Sequence, residues 1–139
     1  MFISYNKVRM HDTDMAGILY FARQFRFAHD AFEDFLESEG YSIDSLFHKS
    51  NFIFVIVHAE ADYLAPLKVG DKLEVHVSTE NLGNSSFGFN YEIYKDQKVL
   101  VGKAKTVHVC LERTTRLKMK IPQTIRTQLE KHLENNQIS

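Results

Sequence analysis

Ala22-Arg23-Gln24-Phe25-Arg26-Phe27-Ala28-His29-Asp30-Ala31-Phe32-Glu33-Asp34-Phe35-Leu36-Glu37-Ser38-Glu39-Gly40 carries the longest helical period in the chain. Phe25, Ala28, Phe32, Phe35 and Leu36 fall on one stripe, while Arg26, Asp30, Glu33, Glu37 and Ser38 lie mostly off it. Gly40 follows the pattern where a C′ glycine ends a helix. A helix with this many phenylalanines needs a broad apolar surface to lie against. The segments on either side supply one, because they read as strands.

Upstream, residues 2–10 have the length and rough alternation of a first strand. Downstream, residues 41–49 form a connection in which Ser42-Ile43-Asp44-Ser45-Leu46-Phe47 makes one further turn. Phe52-Ile53-Phe54-Val55-Ile56-Val57 is a dense β-branched and aromatic run, which predicts a strand buried on both faces and continuing through Tyr63 toward Pro66. Val69-Gly70-Asp71 is a turn, and residues 72–79 then alternate, with Leu73, Val75 and Val77 on one side. A second turn at residues 81–85 leads to the alternation Phe87, Phe89, Tyr91, Ile93. Asp96-Gln97 reverses the chain into the last long strand, residues 99–112. Pro122 precedes a polar helix at residues 123–134 that packs through Ile125, Leu129 and Leu133, and the last five residues are expected to fray. One strand, a long helix and four turn-linked strands predict an α+β domain. Its antiparallel sheet of about five strands carries the helix on its concave face.

A chain of 139 residues predicts one domain, residues 1–139, with enough volume for a real core. Seventeen basic and eighteen acidic side chains nearly cancel, which argues against nucleic-acid or membrane-surface binding and favours self-association. Strand edges need cover, and pairing of edge strands between copies would provide it. Cys110 is the single cysteine, so no intrachain disulfide can form and a reducing cytoplasmic setting fits. The first residues lack the pattern of a signal peptide, and no apolar run reaches membrane-spanning length. The seven histidines form neither H-E-x-x-H nor a Cys/His cluster, so no metal or cofactor is expected.

The chemistry-bearing stretch lies just ahead of the helix: His11-Asp12-Thr13-Asp14-Met15-Ala16-Gly17-Ile18-Leu19-Tyr20-Phe21. A carboxylate there sits beside unpaired backbone N–H groups and the positive end of the helix dipole. One short segment thus offers a base or nucleophile together with donors for a developing oxyanion. Such carboxylates also cap helices and turns, and that is the reading for Asp12.

Asp12-Thr13-Asp14-Met15-Ala16-Gly17-Ile18-Leu19-Tyr20-Phe21 resembles the D-x-D-x-A-G-[IV]-[VL]-[YF]-[FYH] signature of hotdog-fold acyl-CoA thioesterases of the 4-hydroxybenzoyl-CoA thioesterase type. His58 through Asp71, with Pro66, Gly70 and Asp71, is similar to that family's strand and turn ending in P…GD. Within the family the likeness is greatest to the group hydrolysing 1,4-dihydroxy-2-naphthoyl-CoA, at residues 17–21, 29–33, 57–59 and 104–110. Asp30, Phe32 and Ala28 stand where that group usually carries Glu, Tyr and often Cys.

The resemblance implies a hotdog fold, hydrolysis of an acyl-CoA thioester in quinone biosynthesis, and a homo-oligomer, dimer or tetramer. It implies Asp14 as the catalytic carboxylate and the Phe21 backbone N–H as the oxyanion donor, with Gly17, Tyr20 and Phe21 against the acyl group. Family members with histidine at position 21 favour short aliphatic acyl groups, so Phe21 suits an aromatic one. The chemistry fits, because an Asp is ionised at neutral pH and a thiol leaves as thiolate without an obligatory general acid. Direct attack by Asp14 and activation of water are both open. His29 reads as a packed histidine or an acyl contact, and His58 as a structural residue or the holder of a phenolic oxygen. His108 and Cys110 read as strand residues. Arg113, Arg116, Lys118 and Lys120 form a solvated basic face or meet the nucleotide of CoA. A hotdog dehydratase would need a His/Asp or His/Glu pair elsewhere. A 4-hydroxybenzoyl-CoA or broad-range acyl-CoA thioesterase and a non-catalytic acyl-CoA-binding module are the remaining alternatives.

Overall fold

The computed structural model describes residues 1–96 and 98–133. Five strands, β1 (Phe2–Lys7), β2 (Phe52–Tyr63), β3 (Lys72–Glu80), β4 (Ser86–Lys95) and β5 (Val99–Glu112), form one sheet in the order β1-β3-β4-β5-β2. Every neighbouring pair is antiparallel. Three helices accompany it: α1 (Gln24–Glu37), α2 (Ile43–His48) and α3 (Gln123–Lys131). This is the expected α+β arrangement, with α1 against the sheet.

Alternation along β3, β4 and β5 sends Val75, Val77, Phe87, Phe89, Ile93 and Val101 inward, where they meet Phe27, Ala28, Ala31, Phe32, Phe35 and Leu36 of α1. Phe35 and Phe89 meet edge to face at 4.9 Å, and Phe32 and Phe89 do so at 5.6 Å. Each such ring stabilises the fold by roughly 1.5–3 kcal/mol through burial, with ring geometry adding to it. Phe27 and Ala31 extend the expected stripe, while Phe25 is only half-buried. The start of α1 is pinned by Gln24, whose buried amide donates to Asp62 O at 3.1 Å and Lys103 O at 3.0 Å. Gly102 makes room for it, since a Cβ there would stand 2.5 Å from Gln24 Oε1. At the other end Gly40 takes φ +88, as its predicted role requires.

The structure departs from the sequence reading at three points. First, β1 stops at Lys7 rather than at residue 10, because Met10–Asp12 turn into a short 3-10 helix. The Asp12 carboxylate accepts from Arg9 N–H at 2.8 Å and holds that turn.

Second, β2 is not buried on both faces. It is an edge strand paired only with β5, and Ile56 and Val57 are 50% and 59% exposed. The register slips between Ile56 and His58, leaving Val57 as an extra residue in the ladder.

Third, Ile125 and Leu129 of α3 are buried, but Leu133 lies past the helix, bridged in parallel to Thr79. The predicted roles of Gln97, Glu134 and the last five residues lie outside the described residues. Among the described residues no helix is long and apolar enough to cross a membrane.

Candidate active site

Residues 13–19 fold into a small hairpin ahead of α1, with Thr13 bridged antiparallel to Leu19. Asp14 N–H donates to Ile18 O at 3.0 Å, and Gly17 N–H returns to Asp14 O at 3.0 Å. Gly17 closes this turn at φ +79, a conformation an L side chain resists. Leu19 N–H donates to Leu67 O at 2.7 Å and ties the hairpin to the segment after β2. At the tip, Asp14 Oδ1 accepts from Ala16 N–H at 2.8 Å. Oδ2 has no hydrogen-bond partner among the described residues, and the carboxylate is exposed.

Two residues earlier, Asp12 is 0% exposed and takes the opposite role. Arg26 Nε donates to Asp12 Oδ1 at 2.7 Å and Nη2 to Oδ2 at 2.5 Å, a two-point clasp between hairpin and helix. Arg26 also donates to Lys7 O at 3.1 Å and to Asp30 at 2.9 Å, and Asp30 accepts from Asn6 at 3.0 Å. Burial pushes the Asp12 carboxyl up. The hydrogen bonds from Arg26 and Arg9 N–H and the charge of Arg26 outweigh it, so the pKa lies below the usual carboxylate value. The cap reading of Asp12 is therefore incomplete. Its partner Arg26 could not be singled out in sequence, where it is one of several charged residues off the apolar stripe.

Phe21 begins the 3-10 turn Phe21–Arg23 that leads into α1. Its N–H belongs to the donors a helix start leaves without an intrahelical partner, and its carbonyl accepts from Tyr63 Oη at 2.5 Å. The Phe21 side chain is 61% exposed and stands 4.9 Å from the Tyr20 ring. Asp14, Gly17, Tyr20 and Phe21 thus share one hairpin-to-helix segment, held by Asp12 below it. Tyr20 N–H donates to Asp12 O at 2.8 Å and completes that support.

Beside α1 two adjoining clefts open toward β2 and β5. One, beside α2, is lined by Phe32, Leu36, Ile43, Leu46, Phe52 and Phe54, among others, and the second by Phe25, Ala28, Ala59, Tyr91 and Thr106, among others. His29, Phe32, Ile56 and His108 line both. His29 is half-exposed and 3.5 Å from Glu33. His58 lies outside these clefts, exposed on β2 and 3.4 Å from Glu60.

His108 is buried, stacked on Phe32 at 4.5 Å and on Phe87 at 5.0 Å. Burial, with a smaller contribution from His29, pushes its pKa down to about 4, so it is neutral at neutral pH. Burial likewise pushes the Cys110 thiol up to about 11, which leaves it inert.

Of the basic residues after β5, Arg113 is already engaged. It donates to Ser50 O and Leu46 O, each at 2.8 Å, and closes the end of α2. Arg116, Lys118 and Lys120 are exposed. Among the described residues no group of three or more His, Cys, Asp or Glu is placed to hold a metal ion.

Residues 8–129 match the family described as the thioesterase-like superfamily. The 1,4-dihydroxy-2-naphthoyl-CoA hydrolase of Nostoc punctiforme is 38% identical over 131 residues, covering 94% of this chain and 88% of that protein. The enzyme of the same name from Rippkaea orientalis is 35% identical over 132 residues, covering 94% of this chain and 95% of that protein. A crystal structure of a 1,4-dihydroxy-2-naphthoyl-CoA thioesterase from Synechocystis superposes with a TM-score of 0.86 at 32% identity, covering 92% of this chain and 94% of that one. With its sheet wrapped on one helix and its D-x-D-x-A-G hairpin at the helix start, the chain belongs to the thioesterase-like superfamily.

Proposed function

We propose that this protein acts in the cytoplasm and hydrolyses 1,4-dihydroxy-2-naphthoyl-CoA to the free acid and CoA. The observation that carries the reading is the 35–38% identity to hydrolases of that name over nearly the whole chain. In this reading Asp14 is the base or nucleophile, and its exposed carboxylate at the hairpin tip suits either role. The Phe21 N–H polarises the thioester carbonyl, a contribution typically worth about 2.7–4 kcal/mol in kcat. Gly17 lets the backbone turn close to the substrate, and Tyr20 and Phe21 give the acyl group an aromatic wall. His29 meets the acyl ring from the cleft side, and His58, exposed on β2 beside Glu60, is a further candidate contact to a phenolic oxygen. Arg116, Lys118 and Lys120 attract the phosphates of CoA, and Arg113 supports them structurally.

The test is kcat/KM for 1,4-dihydroxy-2-naphthoyl-CoA, 4-hydroxybenzoyl-CoA and butyryl-CoA under identical conditions. The naphthoyl thioester is expected to lead butyryl-CoA by about tenfold to a thousandfold, since ring stacking and a bonded hydroxyl together supply roughly 1.5–4.5 kcal/mol. Butyryl-CoA equal to both aromatic thioesters overturns the aromatic reading. A win for 4-hydroxybenzoyl-CoA refutes only the naphthoyl part.

The active form in this proposal is an oligomer, a dimer or a tetramer. The exposed Ile56 and Val57 lie on the unpaired edge of β2, and Tyr63 and Leu64 at its end are exposed too. A bare apolar edge of this kind invites pairing with a second copy. Light scattering should give at least twice the 16.2 kDa of the chain, and Val57→Asp should shift the mass toward that of one chain. A wild-type monomer at micromolar concentration refutes the oligomer.

A further inference from the structure

We propose that His108 is a specificity-determining residue, donating a hydrogen bond from Nδ1 to a ring hydroxyl oxygen of a hydroxylated aromatic acyl group. The inference rests on the aromatic acyl-CoA reading above and names the side chain that recognises the ring.

The argument starts from a buried polar chain. Tyr91 Oη lies 2.9 Å from Thr106 Oγ1, and Thr106 Oγ1 lies 2.9 Å from His108 Nε2. All three side chains are buried. The chain can run either way: reversed, it leaves the Tyr91 hydroxyl hydrogen without an acceptor, and run from Tyr91 through Thr106 it leaves the His108 Nδ1–H without one. The second direction puts the unmet donor on a residue that lines both clefts, where a ligand can meet it, so Tyr91 donates to Thr106 Oγ1 and Thr106 gives its own hydrogen to His108 Nε2. A neutral imidazole with an accepting Nε2 carries its proton on Nδ1. That atom is buried and has no partner among the described residues.

His108 sits where the two clefts meet, and three features there specify the ligand. The walls are aromatic and aliphatic, with Phe32 stacked directly on the imidazole. Among the described residues that line the cleft beside α2, the polar ones are His29, Glu33 and His108. A phenolic hydroxyl satisfies this set, accepting from His108 Nδ1–H and donating toward Glu33 or His29, whereas an alkyl chain leaves Nδ1–H unpaired. Phe25 and Ala28, on the turns of α1 that follow Phe21, line the second cleft together with His108, so an acyl group with its thioester at the helix start runs toward the imidazole.

The experiment compares kcat/KM for 1,4-dihydroxy-2-naphthoyl-CoA and 1-hydroxy-2-naphthoyl-CoA, which differ only in the hydroxyl remote from the thioester. Wild type is expected to favour the first by about 10- to 100-fold. His108→Phe keeps a ring for Phe32 and Phe87 to stack on and removes the donor, so the ratio should fall close to one. A His108→Phe enzyme with the wild-type ratio overturns the assignment while sparing the thioesterase reading. Wild-type hydrolysis of neither compound overturns the aromatic reading and this inference with it. Should His108→Phe not fold, ¹⁵N NMR of the wild-type imidazole decides. The expected signal is an Nδ1–H tautomer that shifts when 1,4-dihydroxy-2-naphthoic acid is added. An Nε2–H tautomer, or no shift on addition, refutes the donor role.

Discussion

Asp14→Asn is expected to lower kcat on the naphthoyl thioester by about 10²–10⁴-fold, the usual contribution of a positioned acid–base group, without unfolding the protein. The fold survives because the carboxylate touches so little. Only Oδ1 has a partner among the described residues, the Ala16 N–H at 2.8 Å, and an asparagine oxygen accepts that bond equally well. The hairpin is otherwise held by backbone bonds and by Asp12. An amide is neither a base nor a competent nucleophile toward a thioester, so the chemistry is lost where the shape is kept. Circular dichroism should show a melting temperature within a few degrees of wild type, in line with a surface substitution of about 0.5 kcal/mol or less. An Asp14→Asn enzyme with near wild-type kcat removes Asp14 from the mechanism.

Asp12→Ala is the substitution expected to cost the most stability, about 3–5 kcal/mol at neutral pH, because it strands the Arg26 guanidinium without its buried partner. Arg26 retains Asp30 and keeps some contact with solvent, which places the expectation toward the lower end of that range. The pH dependence follows from the lowered pKa of Asp12. A carboxylate that is more acidic folded than unfolded contributes its full stability above the unfolded value of about 3.9. That contribution is lost as the pH falls through the folded value. Urea unfolding of wild type and Asp12→Ala should therefore show the full gap at pH 7 and a narrowing gap below about pH 4. A gap below about 1 kcal/mol at pH 7, or one that does not change on acidification, means that the Arg26 clasp contributes little.

The two aspartates of the D-x-D pattern thus divide the work of the segment. Asp12 fixes where the hairpin sits relative to α1, and Asp14 is presented at its tip. Their separation by two residues turns one carboxylate inward and leaves the other open to solvent. Asp12→Ala should therefore reduce turnover as well, through misplacement of Asp14 and the Phe21 N–H.

Much of this was written in local sequence. The 3.6 period over residues 22–39, ended by Gly40, determined α1, and the alternations in residues 72–79 and 87–95 determined β3 and β4. Such elements are legible because one face of each is buried, so composition and period agree. The D-x-D-x-A-G segment likewise singled out Asp14 and Phe21 as candidates through the family resemblance, since a signature of adjacent residues needs no knowledge of distant contacts.

Tertiary structure alone decided the rest. Phe52 to Val57 are apolar enough for a central strand, yet β2 lies at the sheet edge, because strand order depends on which partners remain after β1, β3, β4 and β5 have paired. Arg26 looked like solvated helix surface until the fold brought Asp12 against it from 14 positions away. His108 was one alternating residue of β5 until Phe32, Phe87 and Thr106 enclosed it. Period and composition report whether a side chain is buried. Only the folded chain reports what it is buried against, and that contact turns a strand histidine into an oriented donor.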